Sequence, residues 1–355
     1  MQKAIRFLIA VAIALLCTTA RSQQHQKLDI YFIDVEGGQA TLLVSPSGQS
    51  LMVDTGWAGG RDAERIAGVA KQAGVTRIDY LVLTHYHGDH AGGLPELAAK
   101  IPIGTFIDHG PNVEQARNSP ANYEAYLPVR DKGQHILAKP GDRLPIQGIE
   151  VQIVSSAGAL ITKPLPGAAG ASNPPCSDFQ PKDETKDPLL GGENAQSVGM
   201  IISLGKFRMA DFGDLTWNKE HELACPKNLV GTIDLYVVSH HGQDISSLPM
   251  LVHAMHPRVA VMDNGAKKGG AIDTFERLRK SPGLEDIWQL HYAVDAGERN
   301  SPEQLIANTK VGGTAASGVP DETTANYIQV TARPDGSFTV TNSRNGYHKD
   351  YGAHS

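Results

Sequence analysis

Three features are missing from this sequence: an excess of positive charge, a long apolar run and internal repeats. The chain has 32 Lys and Arg residues against 38 Asp and Glu residues, so its overall field does not attract a polyanion, and no duplex nucleic acid is expected as a partner. The N-terminal apolar run, Phe7 to Cys17, is too short to span a bilayer comfortably. Without repeats or a linker, one large domain is the simplest architecture for 355 residues of which 41% are hydrophobic.

The N-terminus has the three parts of a secretory signal peptide over residues 1–22. Lys3 and Arg6 precede the apolar run, and Ala20-Arg21-Ser22 ends it. A retained anchor and a lipoprotein are the alternatives, but no stop-transfer residues follow, and Leu16 stands before Cys17 where a lipoprotein would have a small residue. We expect a periplasmic or secreted protein with no stable membrane association. Cleavage leaves 29 basic against 38 acidic residues, a net charge of −9.

Two cysteines, Cys176 and Cys225, remain after that cleavage. In an exported protein an even pair is more often a disulfide than a reactive site, so we expect them to be bonded. Such a bond would join an irregular stretch, residues 157–194, to a helix carrying Cys225. The alternatives for this stretch are a functional lid and a disordered insertion. Two unpaired thiols are the alternative to the disulfide.

The histidine-rich turn at residues 84–90 is the strongest local signal. It reads Thr-His-Tyr-His-Gly-Asp-His and follows the apolar run Ile78 to Leu83, which predicts a buried strand. Side chains two residues apart share a face of an extended chain, so His85 and His87 can converge on one metal ion. Asp89 and His90 follow the turn and can serve a second ion. Imidazole and carboxylate are ligands for Zn²⁺ or a similar divalent metal.

The motif THYHGDHAGG resembles the HxHxDH signature of the metallo-β-lactamase superfamily. Leu51 to Gly56 resembles the strand ending in Asp that precedes that signature, and Gly213-Asp214 and Ser239 to Gly242 resemble its later carboxylate and histidine motifs. Tyr31 to Ala40 is similar to the opening strand and turn of the ComEC-type branch, which contains hydrolase domains of DNA-uptake proteins and phosphorylcholine-esterase-like enzymes. The resemblance covers about residues 28 to 265. It predicts the fold and the metal site and says little about the substrate.

The resemblance implies that Asp214 bridges two metal ions, although an Asp there would also cap a helix. Either His240 or His241 would complete the second site with Asp89, His90 and Asp214, and the sequence does not decide which. The other imidazole would orient a ligand or protonate a leaving group. The predicted catalytic residues are therefore Asp89, Asp214, His240 and His241.

The first metal site lacks an obvious further histidine. Many superfamily members place one between the signature and the bridging Asp, but only His109 and His135 lie there. Residues 193–197, with Asn194 and Ser197, resemble the Asn/Ser pattern of the ComEC-type branch instead. The first site would then hold His85, His87 and Asp214, and His109 could fill the gap as a further ligand. A supporting role behind the ligands is nevertheless predicted for His109, Asn194 and Ser197.

Two further groups have predicted supporting roles. Asp54, at a strand end, is expected to accept a ring N–H and fix the tautomer of a liganded histidine, although a turn cap is the alternative. Lys267 and Lys268 are candidate contacts for an anionic substrate. Lysines on a Gly-rich loop are otherwise solvated surface groups.

The fold expected from the resemblance is α+β, a four-layer αββα sandwich over residues 27–310 with a C-terminal β-hairpin, residues 320–345, packed on it as an appendage. A polar segment, Asn112 to Asp131, is also predicted to be helical. The predicted function is an exported hydrolase that uses two divalent ions, Zn or else Mn or Fe, on a phosphoester or phosphodiester of a small molecule or polymer. A carboxylic ester, lactone, thioester or β-lactam is an alternative substrate. A metal-binding envelope protein without turnover is the alternative from another class.

Overall fold

The computed structural model describes residues 26–115, 118–168, 173–184, 191–309 and 325–353, and the predicted signal peptide lies outside these ranges. No helix within these ranges is both long and apolar enough to cross a membrane. The strands are β1 Leu28–Ile33, β2 Thr41–Val44, β3 Ser50–Val53, β4 Ile78–Val82, β5 Ile103–Asp108, β6 Gln134–Leu137, β7 Arg143–Leu144, β8 Glu150–Ser156, β9 Ala159–Leu160, β10 Gly199–Leu204, β11 Phe207–Asp211, β12 Leu235–Val237, β13 Val259–Met262, β14 Asp286–His291, β15 Ile306–Asn308, β16 Tyr327–Ala332, β17 Phe338–Asn342 and β18 His348–Tyr351. The α-helices are α1 Arg61–Gln72, α2 Gly88–Ala91, α3 Leu94–Ala98, α4 Ser119–Arg130, α5 Trp217–Ala224, α6 Pro249–Met255 and α7 Ile272–Arg279.

The strands form two nine-stranded sheets. The first has the order β18-β17-β16-β1-β2-β3-β4-β5-β6, and the second has the order β15-β14-β13-β12-β11-β10-β8-β7 with β9 paired to β8. Each sheet changes from antiparallel to parallel pairing, at β3 in the first and at β11 in the second. The carboxyl ends of the parallel strands therefore lie along one edge of each sheet.

The structure has four layers, because each sheet has apolar side chains on both of its faces. One face of each sheet contributes to a shared core between the sheets, which includes Phe32, Val53, Ile153 and Trp288. Helices α1, α3 and α4 cover the outer face of the first sheet, and α5, α6 and α7 cover the outer face of the second. The predicted αββα sandwich is confirmed.

The C-terminal hairpin packs on the sandwich as a continuation of its first sheet. β16 pairs with β1 along its whole length, from Leu28 opposite Ala332 to Ile33 opposite Tyr327. β17 and a third strand, β18, continue the same sheet. Phe338 and Tyr351 are buried in the core between the sheets. These strands are part of the sandwich because their apolar faces complete its core.

The predicted disulfide between Cys176 and Cys225 is confirmed, with the two Cα atoms 5.7 Å apart. It attaches the described residues 173–184 to the end of α5. Phe179 stacks on His221 with ring centroids 3.7 Å apart, and Lys182 lies over the Trp217 ring at 4.4 Å. This part of the irregular stretch is therefore packed against the second sheet's helical layer. Residues 169–172 and 185–190 of the stretch lie outside the described ranges.

Candidate metal centre

Two sets of strand ends bring the candidate residues together. β3 and β4 run parallel and are followed by Asp54 and by the turn at residues 84–90. β11, β12 and β13 run parallel in the other sheet and are followed by Asp214, by residues 240–241 and by Asp263. The carboxyl ends of parallel strands are where open α/β sheets place binding residues. Here the polar residues of both edges meet.

The histidine turn is held closely against the end of β3. Asp54 Oδ1 accepts a hydrogen bond from Thr84 N at 2.7 Å, and Thr55 N donates to His90 O at 2.7 Å. A Cβ atom at Gly93 would lie 2.2 Å from Thr55 O. Only glycine permits this approach, which explains the Gly-Gly end of the motif.

His85 and His87 face each other from the same side of the turn. His85 Nε2 lies 3.0 Å from His87 Nδ1, and both side chains are buried. The other ring nitrogen of His87, Nε2, lies 3.0 Å from Glu114 Oε2. When Nε2–H donates to Glu114, the Nδ1 lone pair points toward His85. Two imidazole nitrogens are then aimed at one position.

A second group contains two carboxylates and two imidazoles. Asp89, His90, Asp214 and His241 each offer one ligand atom, and these four atoms lie within 4.8 Å of one another. His90 Nε2 is 3.2 Å from His241 Nε2, and Asp89 Oδ2 is 3.2 Å from His241 Nε2. All four side chains are buried.

The two carboxylate oxygens of Asp214 face different pairs of imidazoles. Oδ1 lies 3.3 Å from His90 Nε2 and 3.5 Å from His241 Nε2. Oδ2 lies 3.3 Å from His240 Nε2 and 3.9 Å from His85 Nε2. Asp214 therefore stands between the two groups, with one oxygen on each side.

His240 and His241 reach opposite sides of Asp214 because their backbone is left-handed at both residues. Their φ angles are 56° and 55°, a conformation that costs of order 1–3 kcal/mol at a non-glycine residue. The surrounding backbone holds it: His240 N donates to Gly213 O at 3.1 Å, and Gly270 N donates to His241 O at 2.9 Å. The sequence left the choice between these histidines open, and the structure aims both at the carboxylate.

Each of these imidazoles also has an oxygen partner on its outer nitrogen. His90 Nδ1 lies 2.7 Å from Asp54 Oδ2, and His241 Nδ1 lies 3.3 Å from Asp263 Oδ2. His240 Nδ1 lies 3.3 Å from Ser246 Oγ. An imidazole that donates its outer N–H to a carboxylate directs the lone pair of its other nitrogen inward.

Burial and charge act against each other in this cluster. Burial raises the pKa of the Asp214 carboxyl, but His240, His90 and His241 outweigh it and hold that pKa well below its usual range. Burial lowers the pKa of His90, but Asp214 and Asp54 outweigh it and raise that pKa to about 10. For His240 burial prevails and lowers the pKa to about 4. The cluster thus stabilises an ionised carboxylate at its centre.

The residues present fit divalent metal ions. Asp214 Oδ1 is buried and accepts no hydrogen bond from the described residues. Four Nε2 atoms and one Nδ1 atom converge around Asp214 and Asp89, and nitrogen with carboxylate oxygen is a ligand set for Zn²⁺ and related metals. A divalent cation would neutralise the buried carboxylates. The fold and this His/Asp cluster support binding of divalent metals.

Another buried group, Asp34, Glu36 and His291, has a similar composition. Arg65 Nη1 lies 3.6 Å from Asp34 Oδ2 and 3.5 Å from Glu36 Oε1. The arginine balances these carboxylates, so a structural ion-pair network accounts for this group.

Three predicted residues lie behind the histidine turn. His109 Nε2 is 3.0 Å from Glu193 Oε2, which also accepts a hydrogen bond from Tyr86 N at 3.1 Å. Asn194 and Ser197 follow Glu193 and are fully buried. Their segment meets the turn through Val198 N, which donates to Thr84 O at 2.9 Å.

A cavity of about 370 Å³ opens beside Asp89 and Asp214. Its lining residues are Trp57, His87, Gly88, Asp89, Asn118, Asp214, His240, Gln243 and Lys268. Lys268 donates hydrogen bonds to Asp89 Oδ2 and to Gly37 O. Lys267 is exposed and does not line this cavity.

Sequence reasoning missed three carboxylates that support the cluster: Glu114, Glu193 and Asp263. For Asp263 a signal exists, because it directly follows the apolar strand β13 as Asp54 follows β3. Glu114 and Glu193 lie in irregular segments. Their contacts join residues 27 and 107 positions apart in the chain.

Comparison with known families agrees with this architecture. The sequence model described as "Metallo-beta-lactamase superfamily" matches residues 33–184, which contain Asp54 and the histidine turn. The chain has the metallo-β-lactamase fold. This match supports membership of the metallo-β-lactamase superfamily. Asp214 and the strands from β10 onward lie beyond the matched range.

Individual relatives match different shares of the chain. Recombination protein 2 of Haemophilus influenzae is 26% identical over 236 residues, which are 66% of this chain but 24% of that protein, so the chain spans about a quarter of that relative's length. Ribonuclease Z of Methanopyrus kandleri is 28% identical over 167 residues, 44% of this chain and 55% of that enzyme. The solved structure of the metallo-beta-lactamase fold protein YhfI from Bacillus subtilis aligns with a TM-score of 0.44 at 13% identity, covering 74% of this chain and 96% of that one.

Proposed function

We propose that the chain is an exported hydrolase that uses two divalent metal ions, Zn²⁺ or alternatively Mn²⁺ or Fe, on a phosphoester or phosphodiester. The observation that carries this proposal is the position of Asp214. Its Oδ1 faces His90 and His241, and its Oδ2 faces His240 and His85. A carboxylate with one oxygen in each of two imidazole groups is suited to bridge two cations.

The proposed ligand sets follow from these distances. His85, His87, His240 and Asp214 Oδ2 would hold the first ion. Asp89, His90, His241 and Asp214 Oδ1 would hold the second. In this assignment His240, which follows Asp214 in the chain, takes the place of the further histidine that many superfamily members supply from between the signature and the bridging Asp. The alternative for His240 is a proton donor to the leaving group.

Bound divalent ions supply Lewis-acid activation of water near neutral pH and neutralise charge on the substrate oxygen. The chain's own residues prepare the site for them. Asp54 accepts the outer N–H group of His90 and Glu114 accepts that of His87, so the remaining ring nitrogens point inward as lone-pair donors, and Asp263 Oδ2 lies 3.3 Å from the outer nitrogen of His241. The open cavity on the Asp89 side gives a substrate access to both groups.

Several observations support a phosphoester over the other substrates of this fold. The opening strand and turn resemble the ComEC-type branch, and the similarity to a recombination protein over 66% of the chain is consistent with that branch. A second relative is named as a ribonuclease. The mature charge of −9 favours a small-molecule or polymer-linked ester over duplex DNA. The disulfide supports export, because such bonds persist in oxidising compartments.

Hydrolysis of bis(4-nitrophenyl) phosphate by the mature chain, purified from an oxidising compartment, tests the proposal. We expect turnover that a chelator removes and added Zn²⁺ or Mn²⁺ restores, with no comparable turnover of a chromogenic β-lactam. Intact diester in the presence of two bound ions per chain would refute the phosphoester assignment. Lactones, thioesters, carboxylic esters or a metal-binding role without turnover would then be preferred.

A matched pair of variants tests the bridging carboxylate. Asp214→Asn removes one anionic oxygen between the two groups, so we expect loss of bound metal and a fall to the background rate. Asp211→Asn is the control, because Asp211 is a buried carboxylate at the end of β11 that accepts hydrogen bonds from Gln39 Nε2 at 2.7 Å and from Gly213 N at 3.1 Å and none from the imidazoles. Normal turnover in Asp214→Asn would refute the bridging role.

A further inference from the structure

Lys268 places a cation on the wall of the cavity beside the proposed second metal site. It lies in the loop of residues 264–270 between β13 and α7. Among the described residues that line the cavity, it is the one lysine or arginine. Its side chain is 27% exposed and forms part of the cavity wall.

The ammonium group is held in place by contacts from three segments. It donates to Asp89 Oδ2 and to Gly37 O, the latter at 2.5 Å. It also lies 5.2 Å from the centroid of the Trp57 ring, within the range of a cation–π contact. An ammonium group has three N–H donors. With two directed to Asp89 and Gly37, the third is available to an acceptor in the cavity.

The turn at Gly37 leaves space for the side chain of Lys268. Gly37 has a φ of +82°, and a Cβ there would lie 2.9 Å from both Lys268 Cβ and Gly265 N. A side chain at residue 37 would therefore displace the lysine or the loop. Lys267, the neighbour of Lys268, makes no such contact and is exposed.

The charge balance of the site indicates the kind of group that Lys268 meets. Two divalent ions carry four positive charges against two negative charges on Asp89 and Asp214, the carboxylates that line the cavity, while Asp54, Asp263 and Glu114 lie on the outer side of the imidazoles. Lys268 adds a further positive charge on the side where the cavity opens. With Asp89 bound to a metal ion, a substrate with two anionic groups would place one on the ions and the other beside Lys268, whereas a neutral ester would offer an anion to neither.

We infer that Lys268 binds an anionic group of the substrate and makes the enzyme prefer phosphoesters that carry a second negative charge close to the scissile bond. A phosphomonoester dianion, or a diester with a neighbouring carboxylate or phosphate, has this chemistry. The inference rests on the proposed function, because it presumes that both metal ions are bound and that the substrate lies in this cavity.

Inorganic phosphate is the probe that tests this directly. Isothermal titration calorimetry with metal-loaded protein would compare the wild type with Lys268→Met, Lys268→Arg and Lys267→Met. We expect the dissociation constant for phosphate to rise about tenfold or more in Lys268→Met, as for the loss of a hydrogen bond between charged groups. Lys268→Arg should recover part of that loss, and Lys267→Met should stay within about twofold of the wild type.

Metal content, measured on the same samples by inductively coupled plasma mass spectrometry, should remain two ions per chain in every variant. Wild-type phosphate affinity in Lys268→Met, or an equal loss in Lys267→Met, would overturn the inference. Loss of an ion from Lys268→Met would overturn it as well, because the lysine would then act on the metal site through Asp89.

The ratio of kcat/KM for 4-nitrophenyl phosphate, a dianion, to that for bis(4-nitrophenyl) phosphate, a monoanion, tests the stated preference. Lys268→Met should lower this ratio, and an unchanged ratio would contradict the preference. The two proposals can fail separately. Weaker phosphate binding in Lys268→Met without hydrolysis of either reporter would keep the anion contact and refute the hydrolase. Metal-dependent hydrolysis with unchanged phosphate binding in Lys268→Met would keep the hydrolase and refute the anion contact.

Discussion

Asp54 Oδ2 lies 2.7 Å from His90 Nδ1, and both side chains are completely buried. Thr84 supports the same carboxylate with its backbone N–H and its hydroxyl group. A residue at the end of β3 thereby sets the proton position on a histidine 36 residues further along the chain. His90 Nε2 is left facing Asp214 and His241.

Asp54→Asn should weaken the second metal site selectively. An amide that turns its NH₂ group toward His90 no longer accepts the Nδ1 proton, so the proton moves to Nε2 and blocks that ligand atom. We expect a loss of about 10- to 100-fold in affinity for one of two ions. Metal titration monitored by calorimetry measures this. Two ions bound with wild-type affinity would contradict the assigned role of Asp54.

Glu114→Gln should weaken the first metal site. Glu114 Oε2 lies 3.0 Å from His87 Nε2 and fixes the direction of that ring. We expect a loss of about tenfold or more in affinity for one ion, with the other unaffected. Glu124→Gln is the matched control, because Glu124 is exposed on α4. A metal-binding isotherm of Glu114→Gln that overlays the control would exclude a role for Glu114.

Removing the disulfide by Cys176→Ser with Cys225→Ser should destabilise the fold and leave the metal site intact. The bond closes a segment with a sequence separation of 49 residues, and restriction of the unfolded chain over that length corresponds to about 4 kcal/mol. Chemical unfolding with and without a reductant measures this loss. A reductant should lower the stability of the wild type and leave the double variant unchanged. Equal stability of the wild type and the double variant would show that packing against α5 is enough to hold residues 173–184 in place.

Glu220 should make stability depend on pH. Burial raises the pKa of this carboxyl from 4.5 to about 7, although Leu248 N and Ser247 N donate to it. The folded state binds the Glu220 proton more tightly than the unfolded state does. Protonation of Glu220 therefore stabilises the folded state fully below pH 4.5, and this stabilisation is lost as the pH rises through 7. The full loss is about 3 kcal/mol.

The difference in unfolding free energy between the wild type and Glu220→Gln, measured from pH 4 to 8, isolates this effect. Glutamine does not titrate, so the variant should lack the decline between pH 4.5 and 7. Parallel curves for the two proteins would show that the pKa of Glu220 is the same in the folded and unfolded states.

Much of the fold could be predicted because its signals are local. The apolar run from Ile78 and the polar turn after it predict a strand and a binding turn, and β4 and α2 lie there. The sequence also predicts a helix over Asn112 to Asp131, but α4 begins at Ser119, with Pro120 in its first turn. The residues before it form an irregular segment that brings Glu114 to His87. No periodic pattern reveals such a segment.

The residue types of the proposed metal ligands and their order along the chain were determined by the sequence alone. Spacing within the turn at residues 84–90 pairs His85 with His87 through the geometry of extended backbone, which is a local property. The side of Asp214 that each of His240 and His241 takes was decided by tertiary structure. Two consecutive left-handed residues, held by Gly213 O and Gly270 N, set those directions. Tertiary structure also decided that Lys268, and not Lys267, lines the cavity. Only the approach of Gly37, Trp57 and Asp89 from distant segments distinguishes two neighbouring lysines, because contacts between distant segments form only when the two sheets pack together.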